Sequence, residues 1–358
     1  MNLVPVDEIT DGMVIAQNIY TLDDQLVLPK GTVLDSKSIK RIKNYSIFNV
    51  FIDEPENIVK SITPSKNESY AEKLLSTNEF KKFKKTLEND AKRLEKALKD
   101  SFEKKESLKT EKLTQPVLSL FEDNETGAGV FDMLHNMRKY DDSIYMHSVN
   151  VAIISSMIAR WMRMSDEDIQ LITMAGLIHD IGKMILPPGI LTKTTPHTKR
   201  ELDIYKSHTQ LGYQLVKDKT LNTHIKNAVL MHHERTDGSG YPLGIKNEQI
   251  DEFAKIIAVA DTYDDLTGKR SYREPASPFI VMEALEKEGF TKYDPDVLIT
   301  FLRHIAASFL ANRVRLSNDL EGEIIYINPD HLSRPIVKCG DSFVDLSSLK
   351  NVYIKEII

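Results

Sequence analysis

The sequence is poor in cysteine, in excess basic charge and in long apolar runs. Its 358 residues include a single cysteine, Cys339, which excludes an intramolecular disulfide and a thiolate-rich zinc cluster. The 47 basic residues are outnumbered by 53 acidic ones, giving a net charge of −6, which disfavours binding of long nucleic acid through the overall field. No apolar run approaches the roughly 20 residues of a bilayer span, and no signal-peptide core is visible near the N-terminus. We therefore expect a cytoplasmic protein without a membrane span.

The composition that remains is typical of a globular protein. Hydrophobic residues make up 41% of the chain and charged residues 28%, and about 150 residues per domain would allow two or three domains. Local patterns predict a mainly α fold, divided into four segments. These are a small α+β module (1–58), a charged helical connector (59–124), a helical domain (125–312) and a small β module (313–358).

Residues 61–112 are strongly charged, with 14 basic and 10 acidic residues. A thin apolar stripe runs through this segment at Phe80, Phe83, Leu87, Leu94 and Leu98. Polar residues, Asp90 and Ser101, occupy two positions where a heptad repeat requires apolar side chains, so a long coiled coil is weakly supported. A solvated connecting helix is one interpretation; a dimerising or signalling helix that binds a partner is the other.

The helical domain is predicted from apolar runs at helical spacing. The predicted helices cover Tyr145–Met162, Ile169–Lys183, Thr198–Val216, Asn222–His233 and Phe253–Leu266, and the glycine-rich segment 234–252 is predicted to be a loop. Beyond Arg313 the apolar period shortens to two, which predicts strands around Val314–Leu316, Ile324–Ile327, Ile336–Val337 and Val352–Ile354.

Histidines are concentrated in this helical domain, since seven of the ten lie between His147 and His233. Imidazole and carboxylate groups suit iron, manganese, zinc and similar divalent ions. Burial of so many ionisable groups without a metal would carry a large desolvation cost. The candidate metal ligands are His147, His179, Asp180, His208, His232, His233 and Asp261.

Two short runs add chemistry to these ligands. In the run HDIGK, Lys183 is placed four residues after His179 and three after Asp180, so on a helix it shares their face and can meet an anionic oxygen. In the run HHERTDGSGYP, which begins at His232, the glycines allow close backbone approach to a ligand and Tyr241 can stack on a base.

These runs resemble the HD-GYP branch of the HD phosphohydrolase superfamily. The run at 232–242 is the hallmark of that branch, and HDIGK at 179–183, HSVNVA at 147–152 and ADTYDDLTGKRSYR at 260–273 match it in the same order. The resemblance covers about residues 125–310. It implies an all-helical HD-type domain and a bacterial phosphodiesterase that degrades cyclic di-GMP to pGpG and, in some cases, to GMP.

The resemblance also implies roles for individual residues. One metal would be held by His147, His179, Asp180 and Asp261, and a second by Asp180, His208, His232 and His233, with Asp180 bridging. Lys183 and Asp180 would be catalytic, and the substrate contacts would be Tyr241, Gly240, Pro242, Arg270 and Arg273. Iron is the first candidate for both ions, with manganese or another transition metal as alternatives.

A third metal is disfavoured, because the extra glutamate that some family members place one turn before the first histidine is replaced here by Ser143, with Asp142 beside it. The implied mechanism is in-line attack on phosphorus by a hydroxide that bridges the two metals. Two alternatives stay open: a cyclic di-GMP receptor with little turnover, and an enzyme for another cyclic dinucleotide or a nucleoside phosphate.

Overall fold

The computed structural model describes residues 2–6, 9–20, 26–35, 38–39, 42–43, 49–53, 77–103, 107–121, 128–137, 143–268, 275–340 and 342–358. The chain folds as two compact units. The first unit contains residues 1–76, 121–132 and 304–358, and the second contains residues 77–120 and 133–303. The four-segment division of the sequence stays a prediction.

The first unit contains the strands. Its N-terminal part has five short strands: β1 (Asn2–Pro5), β2 (Val14–Ile15), β3 (Ile19–Tyr20), β4 (Leu26–Leu28) and β5 (Asn49–Asp53). Strand β5 lies between β1 and β2 in an antiparallel sheet, while β3 pairs with β4. The buried cluster around Ile15, Leu34 and Ile42 forms the core of this module.

The C-terminal part of the same unit is an antiparallel sheet in the order β10-β6-β7-β8-β9. Its strands are β6 (Arg313–Leu316), β7 (Glu321–Asn328), β8 (His331–Cys339), β9 (Ser342–Asp345) and β10 (Ile354–Ile357). The side chains of Val314, Ile324 and Val337 are fully buried, as the two-residue apolar period predicts. The small C-terminal β module is therefore confirmed.

The second unit is helical. The helices whose bounds lie in the described ranges are α1 (Asn78–Glu103), α2 (Thr110–Ser119), α3 (Ala128–Met137), α4 (Ile144–Trp161), α5 (Asp166–Ile178), α6 (Pro188–Leu191), α7 (Lys199–Lys206), α8 (His208–Val216), α9 (Thr223–Met231), α10 (Glu252–Thr267), α11 (Pro278–Ala284), α12 (Phe290–Lys292) and α13 (Pro295–Ser308). Helix α4 is buried along almost its whole length and packs on α5, α10 and α1. Within the described ranges, no helix combines the length and apolarity that crossing a bilayer requires.

Helix α1 corrects the interpretation of residues 61–112 as a solvated connector. The apolar stripe at Phe80, Phe83, Leu87, Leu94 and Leu98 is at most 5% exposed, because α1 packs on α2 and α4 of its own unit. The same stripe is therefore not an open face for a dimer or a signalling partner. Residues 54–76, at the start of the predicted connector, lie outside the described residues.

Two predicted helices are interrupted where the site is built. The helix predicted at Ile169–Lys183 ends at Ile178 and is followed by a 3-10 turn, Ile181–Ile185. The helix predicted at Thr198–Val216 divides at Ser207 into α7 and α8. Both interruptions come next to a candidate ligand, so the breaks turn His179, Asp180 and His208 towards a common centre.

Gly182 explains how closely the 3-10 turn approaches α8. A Cβ atom at this position would lie 1.9 Å from the carbonyl oxygen of His208 and 2.6 Å from the backbone nitrogen of Gly212. Only glycine allows that contact. The contact sets the separation between the Asp180 turn and the start of α8.

Candidate metal centre

The seven candidate ligands come together from five helices or helix ends. His147 is on the first turn of α4 and Asp261 is in the middle of α10. His179 and Asp180 follow α5, His208 begins α8, and His232 and His233 follow α9. All are buried except His233, which is half-buried.

Asp180 lies at the centre of the cluster, and its two oxygens face different histidines. Its Oδ1 is 3.2 Å from Nε2 of His208 and 3.7 Å from Nε2 of His232. Its Oδ2 is 3.3 Å from Nε2 of His179 and 3.5 Å from Nε2 of His147. This is the arrangement that a carboxylate shared by two ligand groups requires.

Asp261 closes the other side of the cluster. Its Oδ1 lies 3.0 Å from Nε2 of His147 and 3.8 Å from Nε2 of His179, and its Oδ2 lies 3.8 Å from Nδ1 of His233. The donor atoms form two groups, and within each group they lie within 4.8 Å of one another. One group is His147, His179 and Asp180, and the other is Asp180, His208, His232 and His233.

The ring nitrogens that face away from the centre are fixed by hydrogen bonds. Nδ1 of His147 is 2.8 Å from Oδ2 of the buried Asp264. The other three bonded imidazoles donate from Nδ1 to carbonyl oxygens of the preceding turn: His179 to Gly176, His208 to Tyr205 and His232 to Ala228. These bonds hold the Nε2 atoms towards the cluster, as outer partners of ligand histidines do in metal sites.

The electrostatics of the cluster are strongly coupled. Burial opposes ionisation of Asp180, but the charge of Lys183 and contacts with histidines outweigh it and hold the Asp180 pKa well below its ordinary value. Burial likewise opposes the charged form of His147, but hydrogen bonds to Asp261 and Asp264 raise its pKa to about 9. Burial lowers the pKa of His232 to about 4, so its imidazole is neutral near pH 7 and free to bind a metal.

Unpartnered polar atoms test whether the cluster fits metal ions. Among the described residues, Nε2 of His179, Oδ1 of Asp180 and Nε2 of His233 are buried without a hydrogen-bond partner. Buried polar atoms are normally satisfied. Three orphan donor atoms among imidazole and carboxylate groups fit divalent transition metals, and these residues suit them by type as well as by place.

Lys183 lies at the edge of this cluster. Its Nζ is 2.5 Å from Oδ2 of Asp180 and 5.3 Å from the ring centroid of Tyr205. Burial alone would lower the Lys183 pKa, but the Asp180 carboxylate raises it well above its ordinary value. The side chain is therefore a fixed positive charge beside the candidate ligands.

A cavity of about 660 Å³ opens beside the cluster. Its lining includes His147, His233 and Asp261 from the cluster together with Lys183 and Tyr205. The volume is in the range of pockets that bind drug-sized molecules. The cavity brings a small anionic ligand within reach of the metal-binding atoms and of the Lys183 ammonium.

The loop at 232–245 is organised around Glu234. Its buried carboxylate accepts backbone N–H bonds from Leu243, Gly244 and Ile245. Gly240 makes its close backbone approach to Glu234 and Arg235, where a Cβ atom would lie 2.4 Å from the backbone.

Tyr241 is held by the same loop. Its ring stacks on His233 at a centroid distance of 4.7 Å, and Nζ of Lys206 is 5.1 Å from its centroid. Burial raises the pKa of the Tyr241 phenol. Within the described part of the chain, the cavity is lined by Lys183 and Asp261 but not by Tyr241, so its contact with a base stays a prediction.

Other predicted residues are placed away from the cluster or outside the description. Arg270 and Arg273 lie outside the described residues, as does Asp142. Ser143 caps α4, accepting a hydrogen bond from the backbone N–H of Met146. Nδ1 of His224 lies 2.9 Å from Oδ2 of Asp251, and His224 is not part of the ligand cluster.

Asp264 and Tyr205 were missed by sequence reasoning. Asp264 comes three residues after Asp261 and thus on the same helical face, a signal that could have identified it. Tyr205 has no such signal, because its proximity to Lys183 depends on the break between α7 and α8.

Comparison with known proteins agrees with this geometry. Residues 131–297 match the HD domain family. A cyclic di-GMP phosphodiesterase of Pseudomonas aeruginosa is 33% identical over 208 residues, which are 57% of this chain and 50% of that protein. A cyclic di-GMP phosphodiesterase of Thermotoga maritima is 34% identical over 179 residues, 49% of this chain and 48% of that protein. The chain spans about half the length of these curated relatives.

Among solved structures, an HDG"Y"P protein from Bdellovibrio bacteriovorus superposes with a TM-score of 0.51 at 18% identity, covering 84% of this chain and 97% of that one. The likeness supports the fold: a mainly helical HD-type domain with small strand-containing modules.

Proposed function

We propose that the chain is a metal-dependent phosphodiesterase that hydrolyses cyclic di-GMP to pGpG, with or without further cleavage to GMP; the match of residues 131–297 to the HD domain family supports this proposal. The observation that carries the proposal is the buried cluster of five histidines and two aspartates beside a cavity that Lys183 also lines. The match spans about half the length of the relatives that are named for this activity. The activity of the whole protein is therefore a proposal.

HD domains bind divalent metal ions, and the cluster provides the donors for them. We propose two ions, one held by His147, His179, Asp180 and Asp261 and the other by Asp180, His208, His232 and His233. Bound there, the ions would supply positive charge for phosphate oxygens and an activated water. Iron is our first candidate, with manganese or another transition metal as alternatives, since imidazole and carboxylate donors suit several of them.

The protein's own groups would act on the substrate around that centre. The ammonium of Lys183 lines the cavity 2.5 Å from Asp180, so it can contact an oxygen of the phosphate that is cleaved. Asp264 holds His147 in one orientation, and Glu234 fixes the loop that carries Tyr241. We propose that Tyr241, Gly240, Pro242, Arg270 and Arg273 form the substrate-binding side.

The charge of the cavity supports a small anionic partner rather than long nucleic acid. The whole chain is acidic, so attraction of a phosphate must be local, from the metal ions and nearby basic side chains. A homodimer through residues 61–112 is not favoured by the buried stripe of α1.

The test is a product assay on full-length protein loaded anaerobically with iron, manganese or nickel. We expect cyclic di-GMP to disappear with formation of pGpG or GMP, which chromatography separates, and we expect a chelator to stop the reaction. Tight cyclic di-GMP binding without product in every metal would select the receptor alternative. Faster cleavage of another cyclic dinucleotide in direct competition would reassign the substrate.

A further inference from the structure

Among the described residues, three lysine and arginine side chains line the cavity: Lys183, Lys193 and Arg235. Two of them are neutralised, since Lys183 pairs with Asp180 and Lys193 pairs with Glu201, each at 2.5 Å. Arg235 has no carboxylate within 4 Å among the residues that the structure describes. Its positive charge is therefore available to a ligand in the cavity.

The guanidinium of Arg235 is nevertheless held in one orientation. Its Nη1 donates to the carbonyl oxygen of Glu234 at 2.9 Å and, more weakly, to that of His232 at 3.4 Å. Its Cζ lies 4.7 Å from the ring centroid of Tyr293. The ring is held in turn, since the Tyr293 hydroxyl is 2.9 Å from Oγ1 of Thr262. A charged group pre-oriented in this way loses little entropy when it binds an anion.

This orientation leaves the Nε and Nη2 edge of the guanidinium free to donate hydrogen bonds to a ligand. Both hydrogen bonds use Nη1, and neither Nε nor Nη2 has a hydrogen-bond partner within the described ranges. The N–H groups of Nε and Nη2 point in the same direction and form the fork that matches two oxygens of a phosphate. The remaining donors are thus those suited to bidentate phosphate binding.

The substrate of the proposed reaction carries two phosphates, and only one of them is cleaved at a time. The cleaved phosphate must lie at the Asp180 cluster, where Lys183 is placed. The second phosphate keeps its negative charge inside the cavity and needs a separate partner. We propose that Arg235 binds this second, uncleaved phosphate and so selects substrates with two phosphodiester groups. The inference rests on the proposed function.

The test compares Arg235→Met with the wild type as metal-loaded, full-length protein. Methionine keeps an unbranched stem against Tyr293 but removes the charge and the donors. We expect the dissociation constant of a sulfur-substituted, non-hydrolysable cyclic di-GMP analogue and the KM for cyclic di-GMP to rise about 10- to 100-fold. The kcat/KM for bis(p-nitrophenyl) phosphate, which has one phosphate, should also be compared. The factor by which it falls should be at least ten times smaller than the factor for cyclic di-GMP.

Two further variants separate binding from a structural role. Arg235→Lys keeps the charge without the fork, so its analogue affinity should lie between those of Arg235→Met and the wild type. The double variant Lys193→Met with Glu201→Gln removes a neutralised pair from the same cavity, and its analogue affinity should stay within about twofold of wild type.

Equal losses with both substrates in Arg235→Met would show that the arginine serves only the loop, and an unchanged analogue affinity would show that it does not meet the second phosphate. Either result overturns the inference while leaving the proposed function intact. If the wild type cleaves bis(p-nitrophenyl) phosphate but neither binds nor cleaves cyclic di-GMP, the proposed function fails and the inference fails with it.

Discussion

At the scale of single residues, the carboxylates of the site have two different structural roles. Asp180 and Asp261 face the Nε2 atoms of the histidines, whereas Asp264 is placed behind His147 and Glu234 behind the loop. The first pair could be predicted from the sequence, because the runs HDIGK and ADTYDDLTGKRSYR identify them. Of the second pair, Asp264 could have been identified by its position three residues after Asp261, whereas Glu234 could not, since its role depends on how residues 243–245 fold back onto its carboxylate.

Asp264 allows the role of these outer contacts to be measured. In Asp264→Asn, Nδ1 of His147 loses its charged acceptor, so we expect metal affinity or activity to fall about 10- to 100-fold with the fold retained. Elemental analysis and initial rates on the same preparation would measure both quantities. Asp203→Asn, an exposed carboxylate on α7, is the matched control; an Asp264 variant indistinguishable from it would refute the orienting role.

At the scale of elements, α1 shows where the sequence pattern was misleading. Asp90 and Ser101 interrupt the apolar stripe, and both are buried, at 7% and 6% exposure. The buried hydroxyl of Ser101 accepts a hydrogen bond from Nζ of Lys219 at 3.1 Å, which offsets the cost of its burial. A heptad criterion counts such residues as breaks because it cannot see a partner from another part of the chain. The helix itself was predictable; its burial was not.

Asp90 makes the stability of this helix depend on pH. Burial raises the pKa of its carboxyl from 3.8 to about 6, although Arg93 partly opposes the rise. The folded protein thus holds this proton to a higher pH than the unfolded chain. The stabilising contribution is complete below pH 4 and is lost as the pH rises through 6.

The variant Asp90→Asn should remove that pH dependence. We expect it to be more stable than the wild type at pH 7.5 and to lose this advantage towards pH 4, as measured by urea unfolding at both values in chelator. Glu103→Gln, exposed on the same helix, should follow the wild type. A constant difference between Asp90→Asn and the wild type at both pH values would contradict the assignment.

The helix breaks at His179–Asp180 and at Ser207 were not predicted from the sequence. Apolar periodicity continues through both, so the sequence predicted continuous helices there. Close to the first break, the backbone at Gly182 touches α8, a tertiary contact that the apolar periodicity does not show. Ligand identity was therefore predictable, while the geometry that makes the ligands converge was not.

At the scale of the whole molecule, a scarcity of basic charge coexists with a site for an anion. The chain carries a net charge of −6, yet the cavity presents Lys183 and Arg235 beside the metal-binding cluster. Composition indicated a globular protein, and local sequence patterns correctly predicted a mainly helical fold with small strand-containing ends. Composition could not reveal that basic side chains line the cavity beside the metal-binding cluster, because net charge averages over the whole surface.

The most direct test of the central claim is a metal titration of the apo protein in which pGpG formation is followed. Two ions in one cluster predict that activity saturates at two equivalents of Mn²⁺ per chain. Asp180→Ala, which removes the carboxylate shared by both ligand groups, should lose most of the bound metal and of the activity while its far-ultraviolet circular dichroism stays that of the wild type. Turnover without added metal, saturation at one equivalent, or wild-type metal content in Asp180→Ala would contradict the account.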